Sequence, residues 1–273
     1  MVFNRFMKEL EEEQGAKNIT FVHHKGGTGK TTSCLNIAGW LVKMKQKVLV
    51  VDLDPQGNAT TGLGVDRKTL EGSIYEVLFE GRDIAEVVLE TESGVQLVPS
   101  SIDLLAAEMQ MAGRANNAGL LREKLRNLRK YFDYILIDVP PGSTLLMING
   151  IAASGNIIIP LDAGVFAFET LETLKTLILD LSNEIGVEIN VLMTLLREYP
   201  TAHFFSDPTA EVKVLVKDFL NSNGMSTVEI VTVPFAHNIY KSQVKGLPIS
   251  HYAPWSDVGR VFKKIAKQLL RGE

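Results

Sequence analysis

Three glycines and two lysines are spaced in this chain as a phosphate-binding loop requires. Residues 25–32 read Lys-Gly-Gly-Thr-Gly-Lys-Thr-Thr. Glycine lacks a Cβ and adopts positive φ readily, so consecutive backbone N–H groups can converge on phosphate oxygens at the start of a helix. In such a loop Lys30 reaches the β- and γ-phosphates of a nucleotide, and the Thr31 hydroxyl binds Mg²⁺. Phosphate contacts are expected from Gly26, Gly27, Thr28, Gly29, Lys30, Thr31 and Thr32.

The residues on either side of this loop predict a strand and a helix. Residues 19–22 are β-branched and aromatic, as in a short buried strand, and residues 33–45 carry apolar side chains at helical spacing. A glycine-rich surface turn and a dinucleotide-binding fingerprint fit this order less well. The fingerprint needs a third glycine where Thr32 stands, and the ordinary P-loop pattern needs a glycine where His24 stands.

Acidic residues follow two further predicted strands. Residues 47–53 form an apolar strand that leads to Asp54, and residues 132–138 form another that ends in Asp138. The carboxyl ends of parallel strands meet at one edge of a sheet, so both acids are expected beside the phosphate loop. Asp54 could orient or deprotonate a water in line with the γ-phosphate, or reach Mg²⁺ through water, and Asp138 could hold a water on Mg²⁺. A calcium loop here needs glutamate where Leu63 stands.

Three segments carry a resemblance to a known family. Residues 25–32, with a lysine at the head of the loop, resemble the deviant Walker A motif of the ParA/MinD family of dimeric ATPases. Residues 52–62, D-L-D-P-Q-G-N-A-T-T-G, resemble the switch I of ParA proteins and not the MinD version. Residues 140–142 resemble switch II, with Gly142 where the family commonly has serine. The whole chain from Lys17 onward is similar to partition ATPases of the ParA/Soj type.

The resemblance implies an ATPase that uses ATP, ADP and Mg²⁺ and turns over slowly without a stimulator. It implies that Lys25 acts across the interface of an ATP-dependent homodimer, on phosphates held by the other subunit. The loop after the last strand is expected to line the adenine pocket from Pro234, although Phe235-Ala236 replaces the usual Arg-Asn. The candidate catalytic residues are therefore Lys25, Lys30 and Asp54. The candidate magnesium residues are Thr31 and Asp138, with Asp54 acting through water.

Strands and helices alternate along the chain, which predicts an α/β fold. We expect a doubly wound, mostly parallel sheet with helices on both faces, as in P-loop NTPases. One ATPase domain is expected over residues 17–273, after an N-terminal helical tail over residues 1–16 that docks on the domain or binds a partner. Further strands are predicted at 95–98, 156–160, 188–196 and 227–233. Further helices are predicted at 73–80, 83–90, from 102, and at 117–130, 167–183, 207–220 and 256–270.

The C-terminal part of the chain is basic, although the whole chain has a net charge of −4. From residue 239 to the end there are seven lysines and arginines against two acidic residues. The predicted helix at 256–270 has one apolar face, and its basic face could be solvated, contact DNA phosphates without sequence preference, or lie on anionic lipid. The candidate DNA contacts are Lys241, Lys245, Arg260, Lys263 and Lys264.

Composition narrows the function further. The charge balance argues against a globally basic nucleic-acid coat, and no apolar run approaches the ~20 residues of a membrane span. A single cysteine, Cys34, allows no internal disulfide, so we expect a cytoplasmic protein, without stable membrane insertion. The resemblance to partition ATPases implies that it is nucleoid-associated. Iron–sulfur electron transfer would need at least two cysteines per subunit.

Two functions follow from these observations. The first is an ATPase of plasmid or chromosome partition, which binds non-specific DNA in the ATP state and is stimulated by a ParB-like partner. The alternative is a MinD-like positioning ATPase that acts on membrane or protein cargo.

Overall fold

The fold is described from a computed structural model of the chain. It covers residues 15–112, 117–142, 144–162, 172–173, 175–176, 178–180, 182–183, 186, 188–198, 208–222 and 228–271. The predicted N-terminal tail, apart from its last two residues, lies outside these ranges, as does the first part of the predicted helix at 167–183.

Eight strands form one sheet within the described residues. They are β1 Lys17–Phe21, β2 Val48–Asp52, β3 Leu89–Glu90, β4 Gln96–Val98, β5 Tyr134–Asp138, β6 Asn156–Asp162, β7 Asn190–Arg197 and β8 Glu229–Val233. Their order across the sheet is β3-β4-β2-β5-β1-β6-β7-β8. Neighbouring strands are parallel except for β3 and β4. The predicted doubly wound, mostly parallel sheet is confirmed.

Helices follow most of the strands. They are α1 Lys30–Lys43, α2 Asn58–Gly62, α3 Ile74–Phe79, α4 Ala107–Ala112, α5 Leu120–Leu125, α6 Leu145–Ser154, α7 Pro208–Ser222, α8 His237–Val244, α9 Ile249–Tyr252 and α10 Asp257–Arg271. Short 3₁₀ turns occur at Arg67–Thr69, Ile84–Glu86, Ile102–Ala106 and Arg129–Tyr131. The described residues from 172 to 183 are also helical.

The central strands are buried on both faces of the sheet. Along β2, Val48 and Val50 belong to one hydrophobic cluster, whereas Leu49 and Val51 belong to the other. Successive side chains of a strand point to opposite faces, so the two clusters are the two layers of the core. Helices α1 and α10 contribute to the first cluster and α3 to α7 to the second. Helices therefore cover both faces, as predicted.

Two helix predictions are wrong in extent. The predicted helix at 83–90 is a 3₁₀ turn followed by β3, because positive φ at Gly94 lets the chain reverse and pair β3 with β4. The predicted helix at 117–130 shortens to α5 and a 3₁₀ turn. There the Arg129 carbonyl accepts a hydrogen bond from the Ala16 N–H just before β1, at 2.9 Å, which diverts the backbone from a helix.

Helix α6 was not predicted from the sequence. It is apolar on nearly all sides, so it lacks the periodic polar face that identifies an amphipathic helix. The Thr144 side chain caps it by accepting the Met147 N–H. Asn149, in its middle, is fully buried and binds three backbone groups: its amide donates to the carbonyls of Asn117 and Leu145, and its oxygen accepts the Leu121 N–H.

We expect Asn149→Ala to lower the free energy of unfolding by about 1–3 kcal/mol, because it leaves buried backbone groups without partners. Urea unfolding followed by circular dichroism measures this change. Asn190→Ala, at an exposed position at the start of β7, is the control and should change the value by less than about 0.5 kcal/mol. Equal losses in the two variants would contradict the proposed role of the Asn149 side chain.

Candidate nucleotide-binding site

The predicted phosphate loop joins β1 to α1. Gly27 and Gly29 have φ values of +78° and +99°, in the left-handed region that favours glycine, and Gly29 is the N-cap of α1. Positive φ is absent at Gly26. A Cβ built on any of these three glycines would meet nothing within 4 Å, so the loop is open to a ligand beside the first turn of α1.

Two lysines occupy different positions around this loop. Lys30 is buried, with 6% of its surface exposed, and its Nζ donates to the Lys25 carbonyl at 3.3 Å. Burial lowers the pKa of Lys30, whereas the charges of Asp138 and Asp54 raise it. Lys25 itself is exposed. Lys30 therefore lies between the loop and the two predicted acids, and Lys25 lies at the outside.

Two histidines hold the start of the loop. The Nδ1 atom of His23 accepts the Lys25 N–H at 2.9 Å, and the rings of His23 and His24 stack with centroids 5.1 Å apart. Burial, followed by the charges of His24 and Lys30, lowers the pKa of His23 to about 3, so the ring is neutral. The His24 carbonyl accepts the Gly142 N–H at 2.7 Å, which ties the loop to the segment after β5.

Two buried carboxylates face each other at the carboxyl ends of β2 and β5. Asp52 and Asp138 are paired in the register of these strands and are both fully buried. Asp52 accepts the N–H and hydroxyl of Thr60 at 2.8 and 2.7 Å and the Asp54 N–H at 3.1 Å. Burial raises its pKa to about 6 against these hydrogen bonds.

The Asp138 carboxylate is not satisfied in this way. Neither of its oxygens accepts a hydrogen bond of normal geometry from the described residues, although the Thr31 hydroxyl is close enough to favour the charged form. Burial and then the charge of Asp52 raise its pKa, while the nearby Thr31 hydroxyl and Lys30 ammonium favour the charged form. Buried carboxylates are paired or bind metal ions, because an isolated charge is costly in a medium of low dielectric constant. Open carboxylate oxygens beside a hydroxyl fit the oxygen ligands that Mg²⁺ prefers.

The loop that carries Asp54 is fixed from three directions. The Asp54 carbonyl accepts a hydrogen bond from the Ser100 hydroxyl at 2.5 Å, and the Asp54 carboxylate accepts one from the Gln56 N–H at 2.9 Å. The Arg67 guanidinium donates to the carbonyls of Gln56 and Pro55 at 2.6 and 2.8 Å. The buried Asp54 side chain is thereby held at the wall of the cavity beside the phosphate loop.

Two cavities meet at this edge of the sheet. The first, of about 470 Å³, is lined by the phosphate loop, Asp54, α2 and Pro141. The second, of about 250 Å³, is more apolar and is lined by residues of β7, the β8–α8 segment that starts at Pro234, and Phe262. Both cavities are lined by Gly29, Thr32, Arg197 and Gln243. They form one groove with a polar part and an apolar part, as a nucleotide requires for its phosphates and base.

Two residues of this groove were missed from the sequence. Arg197 is the last residue of β7 and donates to the Gly27 carbonyl at 3.2 Å. Its position at the end of an apolar strand, at the same edge as the phosphate loop, could have indicated it. Gln243 lies on α8, and its amide donates to the Thr32 hydroxyl at 3.1 Å. No local pattern indicates Gln243, since the two residues are far apart in sequence.

The candidate DNA contacts lie on two helices. Lys241 and Lys245 are exposed on and just after α8. Lys263, on α10, lies over two indole rings, with its Nζ 5.1 Å from the centroid of Trp40 and 5.7 Å from that of Trp255. Cation–π contacts of this kind orient the ammonium group without neutralising its charge.

The other two candidates on α10 have acidic neighbours. Arg260 forms an ion pair with Asp257, and Lys264 lies 3.5 Å from a carboxylate oxygen of Glu229. Local acids reduce the positive potential that a DNA phosphate would meet. Lys241 and Lys245 are exposed and form no ion pair with the described residues, so acidic neighbours do not reduce their charge in the same way.

Comparisons with known proteins identify the family of the chain. A family model described as an AAA domain matches residues 16–191. The chain belongs to this family. The chain is 42% identical to the chromosome partitioning protein ParA of Myxococcus xanthus over 157 residues, which cover 57% of this chain and 56% of that protein. They are 29% identical to the sporulation initiation inhibitor protein Soj of Bacillus subtilis, covering 93% and 98%. The predicted kinship with ParA/Soj ATPases is confirmed.

A solved structure adds the ligands. Cobyrinic acid a,c-diamide synthase of Mycobacterium smegmatis with bound ADP and magnesium has a TM-score of 0.77 and 27% identity, over 94% of each chain. The protein is an ATPase of the ParA/MinD family. Among the described residues, no helix has the length and apolar character needed to cross a bilayer.

We expect Asp138→Asn to raise the free energy of unfolding at pH 7.5 without nucleotide or Mg²⁺ by about 1–3 kcal/mol, since it removes a buried charge for which burial and the repulsion of Asp52 outweigh the attraction of Lys30. A carboxyl whose pKa is raised by folding contributes most stability at low pH and loses it as pH rises. The gain should therefore shrink as the pH falls to 5. Thermal unfolding across this range measures it.

Exposed Glu92→Gln is the control and should show no pH-dependent gain. With Mg²⁺ and ADP present, the wild-type protein should be stabilised and Asp138→Asn should lose the part of this stabilisation that requires Mg²⁺. If Asp138→Asn is less stable than wild type at pH 7.5 without ligand, the inference that the buried Asp138 charge destabilises the empty protein is wrong.

Proposed function

We propose that the protein is a partition ATPase that dimerises with ATP, binds DNA without sequence preference in that state, and releases it when a ParB-like partner stimulates hydrolysis. The observation that carries this proposal is the placement of α8. One side of this helix lines the nucleotide groove, and the same helix carries the exposed Lys241. Kinship with ParA and Soj supports the same function. The protein would then be associated with the nucleoid, on plasmid or chromosomal DNA.

The residues of the polar cavity would divide the work of hydrolysis. The backbone of residues 26–32 would bind the phosphates, and Lys30 would contact the β- and γ-phosphates from its buried position. Thr31 and Asp138 would hold Mg²⁺, which neutralises charge on the β- and γ-phosphate oxygens. Asp54, fixed at the cavity wall, would orient the attacking water.

The second loop lysine would act in a different subunit. Lys25 is exposed and is not part of the lining of either cavity, whereas the Lys25 carbonyl accepts the Lys30 ammonium. Its main chain therefore supports the site of its own subunit, and its side chain faces outward. A homodimer that places the two sites face to face would bring Lys25 to the phosphates of the opposite subunit.

Pro234 and the apolar cavity would hold the adenine. Phe235, Ala236 and Phe262 contribute apolar surface to this cavity. The Arg-Asn pair usual after this proline in the family is absent, so the base would be bound here mainly by apolar contact. Stacking and burial of a base on such side chains suit its flat π-face.

Helix α8 would transmit the state of the nucleotide to DNA. Gln243 of this helix binds the Thr32 hydroxyl at the phosphate loop. Just after the helix, Gly246 packs on the loop that follows α2: a Cβ on Gly64 would lie 3.3 Å from the Gly246 carbonyl oxygen. Lys241 and Lys245 therefore lie beside two contacts, Gln243 with Thr32 and Gly246 with Gly64. Through these contacts, nucleotide exchange would change the positions of the two lysines.

We expect the protein to bind random-sequence duplex DNA with ATP and not with ADP, and Lys25→Ala to lose this binding because the dimer does not form. Fluorescence anisotropy over a salt series measures it. Replacing Lys241 and Lys245 together by alanine should weaken binding to all sequences and reduce the salt slope by ~0.9 for each phosphate contact removed.

The matched control is the pair Lys213→Ala and Lys217→Ala, which has the same spacing and is also exposed, on α7. This pair should bind DNA like wild type. If wild type binds no DNA in any nucleotide state, the partition function fails while the ATPase remains. Flotation of the ATP form with anionic vesicles then tests a MinD-like positioning role.

A further inference from the structure

Arg197 links three elements at the edge of the nucleotide groove. It is the last residue of β7, and in the sheet it is paired with Asp162, the last residue of β6. Its guanidinium lies 3.2 Å from an Asp162 carboxylate oxygen and donates to the Gly27 carbonyl at 3.2 Å. Two parallel strands and the tip of the phosphate loop are thus joined by one side chain.

The same guanidinium lies where the two cavities meet. Arg197 lines both of them, together with Gly29, Thr32 and Gln243. Its only companion among lysines and arginines in the described lining is Lys30, in the polar cavity. A nucleotide that fills both cavities must pass its ribose and α-phosphate through this junction, so a cation stands beside the first phosphate as well as the last.

The hydrogen bond between Arg197 and the Gly27 carbonyl can be exchanged for one to a phosphate oxygen. The Gly27 carbonyl is a neutral acceptor, whereas a phosphate oxygen is anionic and forms a stronger, charge-assisted hydrogen bond. The arginine side chain is 39% exposed, so the exchange needs no opening of the core. Asp162 can stay bound meanwhile, because the guanidinium presents several donors in a planar fork.

We propose that Arg197 contacts the nucleotide: its guanidinium, oriented by Asp162, exchanges the Gly27 carbonyl for an oxygen of the phosphate next to the ribose. ADP and ATP share this phosphate, so the contact adds affinity for both and does not discriminate between them. The inference rests on the proposed nucleotide site and is independent of DNA binding.

If Arg197 has only a structural role, different nucleotide affinities are expected for its variants. If the arginine only clasps β6, β7 and the loop, then removing either member of the Arg197–Asp162 pair breaks the clasp. Arg197→Gln and Asp162→Asn should then weaken nucleotide binding alike. If the arginine contacts the nucleotide, only the loss of its charge matters strongly.

The experiment is titration calorimetry of the full-length protein with Mg²⁺ and either ADP or a non-hydrolysable ATP analogue. We expect Arg197→Gln to raise the Kd of both ligands by a similar factor, about 10- to 100-fold, as for a lost charge-assisted hydrogen bond. Asp162→Asn, which keeps the positive charge, should change the Kd by less than about 3-fold.

The matched control is Arg82→Gln. Arg82 also donates to a backbone carbonyl, that of Glu71, and pairs with a carboxylate, that of Glu86, yet it lines neither cavity. This variant should bind both ligands like wild type. Thermal unfolding without nucleotide shows whether each variant is folded. If Arg197→Gln is not, Arg197→Lys replaces it, with a loss expected for both ligands because a single ammonium cannot bind Asp162 and the phosphate as a fork does.

Three outcomes overturn the inference. One is a wild-type Kd in the folded Arg197 variant, and another is an equal loss in Arg197→Gln and Asp162→Asn. The third is a loss confined to the ATP analogue, which would place the guanidinium at the γ-phosphate. If wild type itself binds neither ligand, the proposed nucleotide site fails instead, so the two failures are distinct.

Discussion

The site depends on one electrostatic constraint, the buried carboxylate of Asp138 at the centre of the sheet. It is fully buried and accepts no hydrogen bond of normal geometry from the described residues, while its neighbour Asp52 has its acceptors filled by Thr60 and the Asp54 N–H. A charge in this position needs a cation, because burial alone makes it unfavourable. The buried ammonium of Lys30 supplies part of that compensation, and a bound magnesium ion would supply the rest. The fold thus retains a buried charge that a bound cation would stabilise further.

The topology explains why the partners of this carboxylate come from distant parts of the sequence. Strand β1 lies between β5 and β6, and β2 lies on the other side of β5. All of these strands are parallel, so the phosphate loop after β1, Asp138 at the end of β5 and the Asp54 loop after β2 leave the sheet at one edge. Two buried layers fix the register, since a slip by one residue would turn the apolar side chains of a strand to the wrong layer. The core is therefore what places the acids.

Most of the fold and part of the site could be predicted from local pattern. A run of apolar residues that ends in an acid, as at Asp138, indicates both a buried strand and the edge where it stops. The spacing of glycines in residues 26–29 likewise predicts the phosphate loop from the local sequence alone. Helix α6 could not be predicted in this way, because a helix buried on all sides has no polar face to mark its period. Arg197 and Gln243 were missed for another reason: their contacts with Gly27 and Thr32 exist only after the sheet has formed.

The placement of α8 carries the argument from the nucleotide to the surface. His237, Tyr240 and Gln243 of this helix line the groove, and Lys241 is exposed. Each residue of a helix is turned by about 100° from the one before it, and residues four apart share a face, so Lys241 lies at the margin of the groove-lining side of this eight-residue helix, next to His237. Gln243 of this helix donates to the Thr32 hydroxyl, and Gly246, just after the helix, packs on the backbone of Gly64. In the proposed function, a nucleotide bound against this helix would also act on the position of Lys241, and that contact would couple the nucleotide to DNA binding.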